Sequence, residues 1–488
     1  MTQKVKTVFL LFILSSISGL KAFSQTCLAA SPQFCESKKP RIGVVCHTAA
    51  PGALVYFDLA DGSCVYCACS CVASSTPVAA EGSNWVKMGD IKLGDKVLAL
   101  QKGKWISTEV TYSDGTEGSS TTIRYAIYIA LSNGIQLVTT KDHIFLLADK
   151  SIKRADRLAP TDNLVDANMK PLKITELFAG DFKGSVHNIT VGKPDLQSSN
   201  FEGHFINTNG VISGDFYVQS IHKESNDIGL SNPQVGSEEY VLKYKNVLKE
   251  ERMLGISKTT EEIKFNDKNV FVPYKSIAIP KDAINFLPPK YEKAAIGTLL
   301  PLDNSVPYEV AEYIVYNFRR FYPEIIYHID WTDNVVNAYA WMDGGKRHVA
   351  LKGGLIRHTA VKQEAVGLVL AHEIGHHFGG GPRYPDNPWA SCEGQADYWG
   401  ALVCERTVWW GPYALQQIRM GGEQLYNLFA YGLLFGNLFE IENQKSMTGI
   451  CGHPSASCRL ATYRAALTLD EKPSCAGDPP SIVNAQNK

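Results

Sequence analysis

The chain has 488 residues, with 48 basic and 49 acidic side chains and a formal net charge of -1. That length holds two or three domains, each with its own core, and the charge balance gives no reason to expect a nucleic-acid partner or an anionic membrane surface. Its 12 cysteines fall into two groups separated by a centre that has none, a usage that suits an oxidising compartment.

The first residues carry Lys4 and Lys6, an apolar run from Val8 to Leu14 and the exit Ala22-Phe23-Ser24. This is the layout of a secretory signal peptide over residues 1–24. Its apolar run is too short to span a bilayer, and no later stretch reaches transmembrane length. The expected location is therefore exported, periplasmic or extracellular, with no transmembrane segment after signal removal. Residues 25–70 form a cysteine-rich segment with Cys27, Cys35, Cys46, Cys64, Cys67 and Cys69, enough for three bridges when Cys71 is set aside. The alternative is a thiolate metal cluster at Cys64, Cys67, Cys69 and Cys71, for which no second pair follows at zinc-site spacing. The later group, Cys392, Cys404, Cys451, Cys458 and Cys475, predicts a second stapled region.

Residues 71–220 are rich in β-branched residues and turn glycines, the pattern of an all-β domain. Cys71 leads into Thr76-Pro77-Val78, a Gly94-Asp95-Lys96-Val97 turn follows, then the Thr-x-x-His block of Thr140 and His143, and finally His204-Phe205 with Asn209-Gly210-Val211. In that order these resemble the Hint fold of inteins and hedgehog autoprocessing domains. The resemblance implies an N-to-S acyl shift, with the Cys71 thiolate attacking the Ser70 carbonyl while Thr140 and His143 distort and protonate the scissile amide. Where inteins end in His-Asn this chain has Gly214-Asp215, so cleavage is expected at Ser70-Cys71 alone. The competing expectation is a degenerate Hint fold, a rigid spacer with Cys71 in a disulfide.

Residues 221–300 read as a connector with some helix and strand, closing on Pro288-Pro289. Residues 301–476 return to helical periodicity, beginning with EVAEYIVYNFRRF, which places Val310, Ile314, Val315 and Phe318 on one face, and 477–488 form a tail. Within QEAVGLVLAHEIGHHFGGGP, His372 and His376 lie one helical turn apart and can share one Zn²⁺, with Glu373 beside them as a base. The helix should start near Lys362 and stop at Gly379-Gly380-Gly381-Pro382. His377 points about 100° away and should not share the metal, and His328, His348 and His358 read as ordinary histidines. The third ligand is expected to be Glu393, seventeen positions past His376, on a short helix capped by Ser391, with Asp397 one turn on, accepting a hydrogen bond from a ligand imidazole.

The ordered set Asn337-Ala-Tyr-Ala, Gly344-Gly345, His348-Val-Ala-Leu, Gly353-Gly354-Leu355, His-Glu-x-x-His, Glu-x-x-Ala-Asp, His453-Pro454 and Arg459 resembles the gluzincin peptidases that include the prenyl-protein and heat-shock membrane proteases. It departs from them in lacking a transmembrane helix and in a short gap between His376 and Glu393. The resemblance implies that the region of His453 and Arg459 packs on the active site, where either residue is a candidate oxyanion donor. The strand Val349 to Leu351 is a candidate edge for an extended substrate.

The expected architecture is thus multi-domain: an all-β Hint-like domain, then an α+β, mainly helical zincin metallopeptidase domain. The expected function is that of an exported zinc endopeptidase acting on a protein or peptide, with a Hint-like unit that self-cleaves. A secreted effector or toxin role is suggested by analogy with Hint domains that precede toxins. The alternative is a non-catalytic secreted binding or scaffold protein with two degenerate domains.

Overall fold

The computed structural model describes residues 26–30, 55–58, 64–68, 71–115, 122–193, 200–221, 232–246, 262–265, 269–274, 276–289, 299–433 and 451–477, the first three stretches as backbone only. The signal peptide, most of the cysteine-rich segment and the tail read from the sequence lie outside them. A three-stranded antiparallel sheet places Cys27 opposite Cys67, with the strand Val55–Asp58 on the other side of Cys64–Ala68.

The chain divides into two compact units. Among the described residues the first carries a 16-stranded sheet system in which every strand pairing is antiparallel. At its centre is Thr122–Leu131, TIRYAIYIAL, whose β-branched and aromatic residues suit a strand buried on both faces from Tyr125 onward. It lies between Gln136–Thr139 and the long strand Pro171–Lys183. The hairpin of Phe205–Thr208 with Val211–Gly214 turns on Asn209 and Gly210 at φ 51° and 85°, the left-handed pair that a two-residue turn requires. Directly after Cys71, the strand Val72–Ala73 is held between Gln136–Thr139 and Val186–Val191, which fixes the cysteine against Thr139 and Thr140. The segment expected to be a connector adds Val270–Pro273 to this sheet beside Pro171–Lys183, and Ile263–Lys264 beyond it.

The second unit joins a four-stranded sheet to a group of helices. Its strand order is Ile284–Asn285, Ala338–Asp343, Lys346–Lys352, Ile325–Asp330, with the last two parallel and the rest antiparallel. Lys346–Lys352 is paired on both sides, so the expectation that Val349 to Leu351 forms a free edge is corrected. Its last four residues are all buried, as befits an interior strand. The first helix, Val306–Arg319, buries Ala311, Ile314, Val315 and Phe318, while Val310 is only half-buried.

The helix Gln363–Phe378 runs from Lys362 to the glycine stop and is buried along nearly its whole length. Against it lie the helices Glu393–Trp399 and Gly411–Leu433, and Ala456–Thr468 packs on both of these. A Cβ on Gly375 would sit 2.6 Å from the Ala396 carbonyl, and one on Gly400 would sit 2.8 Å from that of Ala371, so these glycines let the two helices bring their backbones together. Disulfides Cys392–Cys451 and Cys458–Cys475 staple the ends of this arrangement, next to Glu393 and Arg459 respectively. Among the described residues, no helix is long and apolar enough to cross a membrane.

Candidate metal centre and a second buried site

Successive turns of the helix Gln363–Phe378 aim His372 and His376 the same way, and their Nε2 atoms lie 3.1 Å apart. Each ring is fixed through its other nitrogen. His376 Nδ1 donates to the Ser391 carbonyl at 2.8 Å, and His372 Nδ1 donates to Asp397 Oδ1 at 2.8 Å. A carbonyl only accepts, so His376 carries its proton on Nδ1 and turns an Nε2 lone pair toward its neighbour. With His372 deprotonated at Nε2 as well, two lone pairs face one place in a buried space, and roughly 3.3 Å is the nitrogen–nitrogen edge of a tetrahedral zinc site. Glu393 closes the third side, with Oε2 3.4 Å from His372 Nε2 and Oε1 3.7 Å from His376 Nε2. One ligand atom from each of the three residues falls within 4.8 Å of the others, so the donor set fits a divalent ion.

Around these side chains the remaining polar groups are nearly all accounted for. Glu393 Oε1 accepts from the Tyr384 hydroxyl at 2.7 Å, and its Oε2 faces Arg459 Nη2 at 3.4 Å. Asp397 accepts three bonds, from His372, from Tyr463 OH at 2.7 Å and from Arg459 Nε at 2.8 Å. Glu373 differs, since both of its carboxylate oxygens are buried with no hydrogen-bond partner. Burial, opposed by the charge of His372, pushes its carboxyl up to about 8. Burial pulls His376 down to about 3, leaving it neutral as a ligand must be. For His372 burial acts downward too, but Asp397 and Glu393 outweigh it and hold the ring up at about 9, so a metal ion there displaces a proton.

His453 and Arg459 both reach this region. His453 Nε2 lies 3.6 Å from Glu393 Oε2 and donates to the Asn285 carbonyl at 2.8 Å, while Arg459 Nη1 donates to the Phe286 carbonyl at 3.1 Å. Ser391 does not cap the helix Glu393–Trp399. Its carbonyl holds His376, its hydroxyl donates to the Gly380 carbonyl, and Cys392 is the residue at the helix start. His377 turns away to the His348 carbonyl at 3.1 Å. Tyr384 and Tyr463 were not foreseen. Tyr463 is one turn beyond Arg459 on the same helix, a spacing that offered a signal, whereas Tyr384 sits in a loop with none.

The first unit holds a separate buried cluster. The Cys71 amide donates to Thr140 Oγ1 at 2.7 Å, and the Thr140 amide returns a bond to the Cys71 carbonyl at 2.9 Å. Thr140 Oγ1 in turn donates to Asp142 Oδ1 at 2.8 Å, and burial lifts that carboxyl to about 6 against the opposing effects of Arg154 and Lys141. His143 is fully buried, takes a 2.8 Å bond from Gln219 Nε2 at Nδ1, and is pulled down to about 3 by that burial. Asp142 is reached by a bond from Thr140 that spans only two residues, a local signal in the sequence. Asp215 accepts from His204 Nδ1 and from the Val191 amide, both at 2.9 Å, so it acts as a clamp within the sheet. Ser70 lies outside the described residues.

Residues 309–384 match peptidase family M48, which indicates a zinc metallopeptidase. The ATP-dependent DNA helicase Hel308 of Methanocaldococcus jannaschii is 28% identical over 156 residues, 32% of this chain and 11% of that protein, so the chain spans only a small part of that relative's length. Solved structures similar to part of the chain include a DnaB intein from Synechocystis sp. PCC 6803, at 16% identity and a TM-score of 0.25, covering 30% of this chain and 98% of that one. A bacterial intein-like domain from Clostridium thermocellum is another, at 20% identity and a TM-score of 0.25, covering 30% and 97%. The chain is multi-domain, with an antiparallel β unit followed by a largely helical unit that carries the peptidase match.

Proposed function

We propose that this chain is an exported zinc-dependent endopeptidase in which His372, His376 and Glu393 hold the metal and Glu373 is the general base. The observation that carries the reading is the pair of buried imidazole Nε2 atoms 3.1 Å apart, closed on the third side by a carboxylate. When bound there, zinc supplies a Lewis acid that polarises the scissile carbonyl and acidifies water at the site. Glu373 removes a proton from the attacking water as its oxygen bonds to the carbonyl carbon, then delivers that proton to the leaving nitrogen as the carbon–nitrogen bond breaks. Asp397 keeps His372 in the tautomer that presents Nε2, and Arg459 balances the charge of the two carboxylates it bridges. Tyr384 steadies Glu393.

Export is supported by the N-terminal sequence and by two disulfides in the peptidase unit. In the Hint-like unit, self-cleavage at Ser70-Cys71 is supported by the bond from the Cys71 amide to Thr140, with Asp142 behind it as a proton source for the departing nitrogen. The order of the two units suits a secreted effector. Glu373→Gln tests the peptidase reading. The variant should keep one zinc per chain and an unchanged fold while losing peptide hydrolysis, since it removes the base and no ligand. Equal hydrolysis by variant and wild type would overturn the role given to Glu373.

A further inference from the structure

The short strand Ile284–Asn285 lies antiparallel along Ala338–Asp343, with Ile284 opposite Ala340 and Asn285 opposite Tyr339. The pairing continues on both sides of the next two residues. The Phe286 amide donates to the Ala338 carbonyl at 3.0 Å, and the Asn337 side-chain amide grips Leu287 by donating to its carbonyl at 2.9 Å and accepting from its N–H at 2.8 Å. This is the geometry by which a peptide adds as a strand to a sheet edge.

The other side of the segment meets the metal centre. His453 donates to the Asn285 carbonyl and Arg459 to that of Phe286, so two consecutive backbone carbonyls are held by side chains of the site. The Phe286 ring packs edge-on against His372 with centroids 5.1 Å apart, lies 4.3 Å beneath the Arg459 guanidinium, and meets Phe429 at 5.8 Å. Phe286, His372, Glu373, His376 and Glu393 are each 0% exposed. Pro288 and Pro289 follow at once, and with no N–H to donate they end the pairing. Before the segment, Lys281 and Asp282 are exposed.

We propose that Ile284–Leu287 is a built-in pseudosubstrate. It occupies the strand-addition edge and closes the catalytic centre, and the groove lined by His372, Phe429 and Arg459 selects substrates with a bulky aromatic residue at the position of Phe286. The proposal rests on the peptidase reading for its meaning, since a sheet edge beside a site with no chemistry has nothing to regulate. The enzyme is then latent until the segment is displaced, and an incoming peptide takes over its bonds to Asn337, Ala338, His453 and Arg459.

The test uses the full chain, as wild type, Phe286→Ala and the milder Phe286→Leu, with a fluorescent peptide of the sequence Ala-Ile-Asn-Phe-Leu-Pro-Pro. A segment that fills its groove nine-tenths of the time weakens binding of a competitor about tenfold. Phe286→Ala should therefore bind the peptide at least about tenfold more tightly than wild type, with Phe286→Leu in between if the Ala variant folds poorly. A peptide with Ala in place of Phe should bind at least about tenfold more weakly to Phe286→Ala. Cleavage of an unrelated aromatic-containing peptide should rise in the same order. Equal peptide binding by folded wild type and both variants would overturn the proposal and leave the segment a structural strand. Binding is read without catalysis, and zinc content is measured on the same samples, so failure of the metal reading shows separately as loss of zinc with peptide binding intact.

Discussion

Asp397→Asn probes how the metal centre is supported. Three donors converge on the Asp397 carboxylate: His372 Nδ1 and Tyr463 OH on Oδ1, and Arg459 Nε on Oδ2. An asparagine offers one oxygen. With that oxygen at the Oδ1 position it keeps His372 and Tyr463 but turns an NH₂ toward Arg459, and the opposite flip sets the NH₂ against both other donors. In the better case a buried guanidinium, 2% exposed, loses its charged partner and keeps only its bonds to the Phe286 carbonyl and Glu393. The loss of one charge-assisted bond plus a donor facing a donor costs about 3 kcal/mol. For a unit of this size that lowers its melting temperature by roughly 6 to 12 °C. Zinc affinity should fall by about 10- to 100-fold, because the amide oxygen that then holds His372 carries no charge, whereas Glu393→Ala should lose the metal outright. Calorimetry and chelator competition measure the two effects. An Asp397→Asn protein with wild-type melting temperature and zinc affinity would refute the reasoning.

Glu405 is buried at 0% exposure with neither carboxylate oxygen in a hydrogen bond, and burial lifts its carboxyl from 4.5 to about 8. Between those values the folded chain keeps a proton that the unfolded chain has lost, so stability should fall as pH rises through this window, by on the order of 4 kcal/mol, and level off above it. Glu405→Gln should flatten that dependence in denaturant melts at pH 5 and pH 8, and an unchanged slope would contradict the assignment. In the first unit, thiols should accelerate a cut between Ser70 and Cys71. Cys71→Ala should stay intact and Asp142→Asn should cut more slowly, as read by mass spectrometry. A full-length wild-type chain after prolonged dithiothreitol would argue for a rigid spacer.

What was legible in the sequence was local. The helix bearing His372 and His376 announces itself by apolar spacing, a glycine stop and candidate ligands one turn apart, and Glu393 and Asp397 follow as candidates by the same logic on the next helix. The Asn209-Gly210 turn and the β-rich run after Cys71 are equally local. The rest depends on contacts between distant residues. His453 meets Asn285 across 168 positions and Arg459 meets Phe286 across 173, and no periodicity in the 221–300 region marks Ile284–Leu287 as lying on the catalytic centre. Val349 to Leu351 is only a candidate edge from its sequence, because an apolar strand does not name its neighbours. The unbroken burial of its last four residues, matched by the parallel partner Ile325–Asp330, is the signature of an interior strand.

The most direct test of the central claim is the metal content of the purified chain, compared with His376→Ala and Glu373→Gln. One zinc per wild-type chain, retained by Glu373→Gln and lost by His376→Ala, is the predicted result. A wild-type chain that binds no zinc after dialysis against the metal, or a His376→Ala chain that still binds it stoichiometrically, would contradict the account.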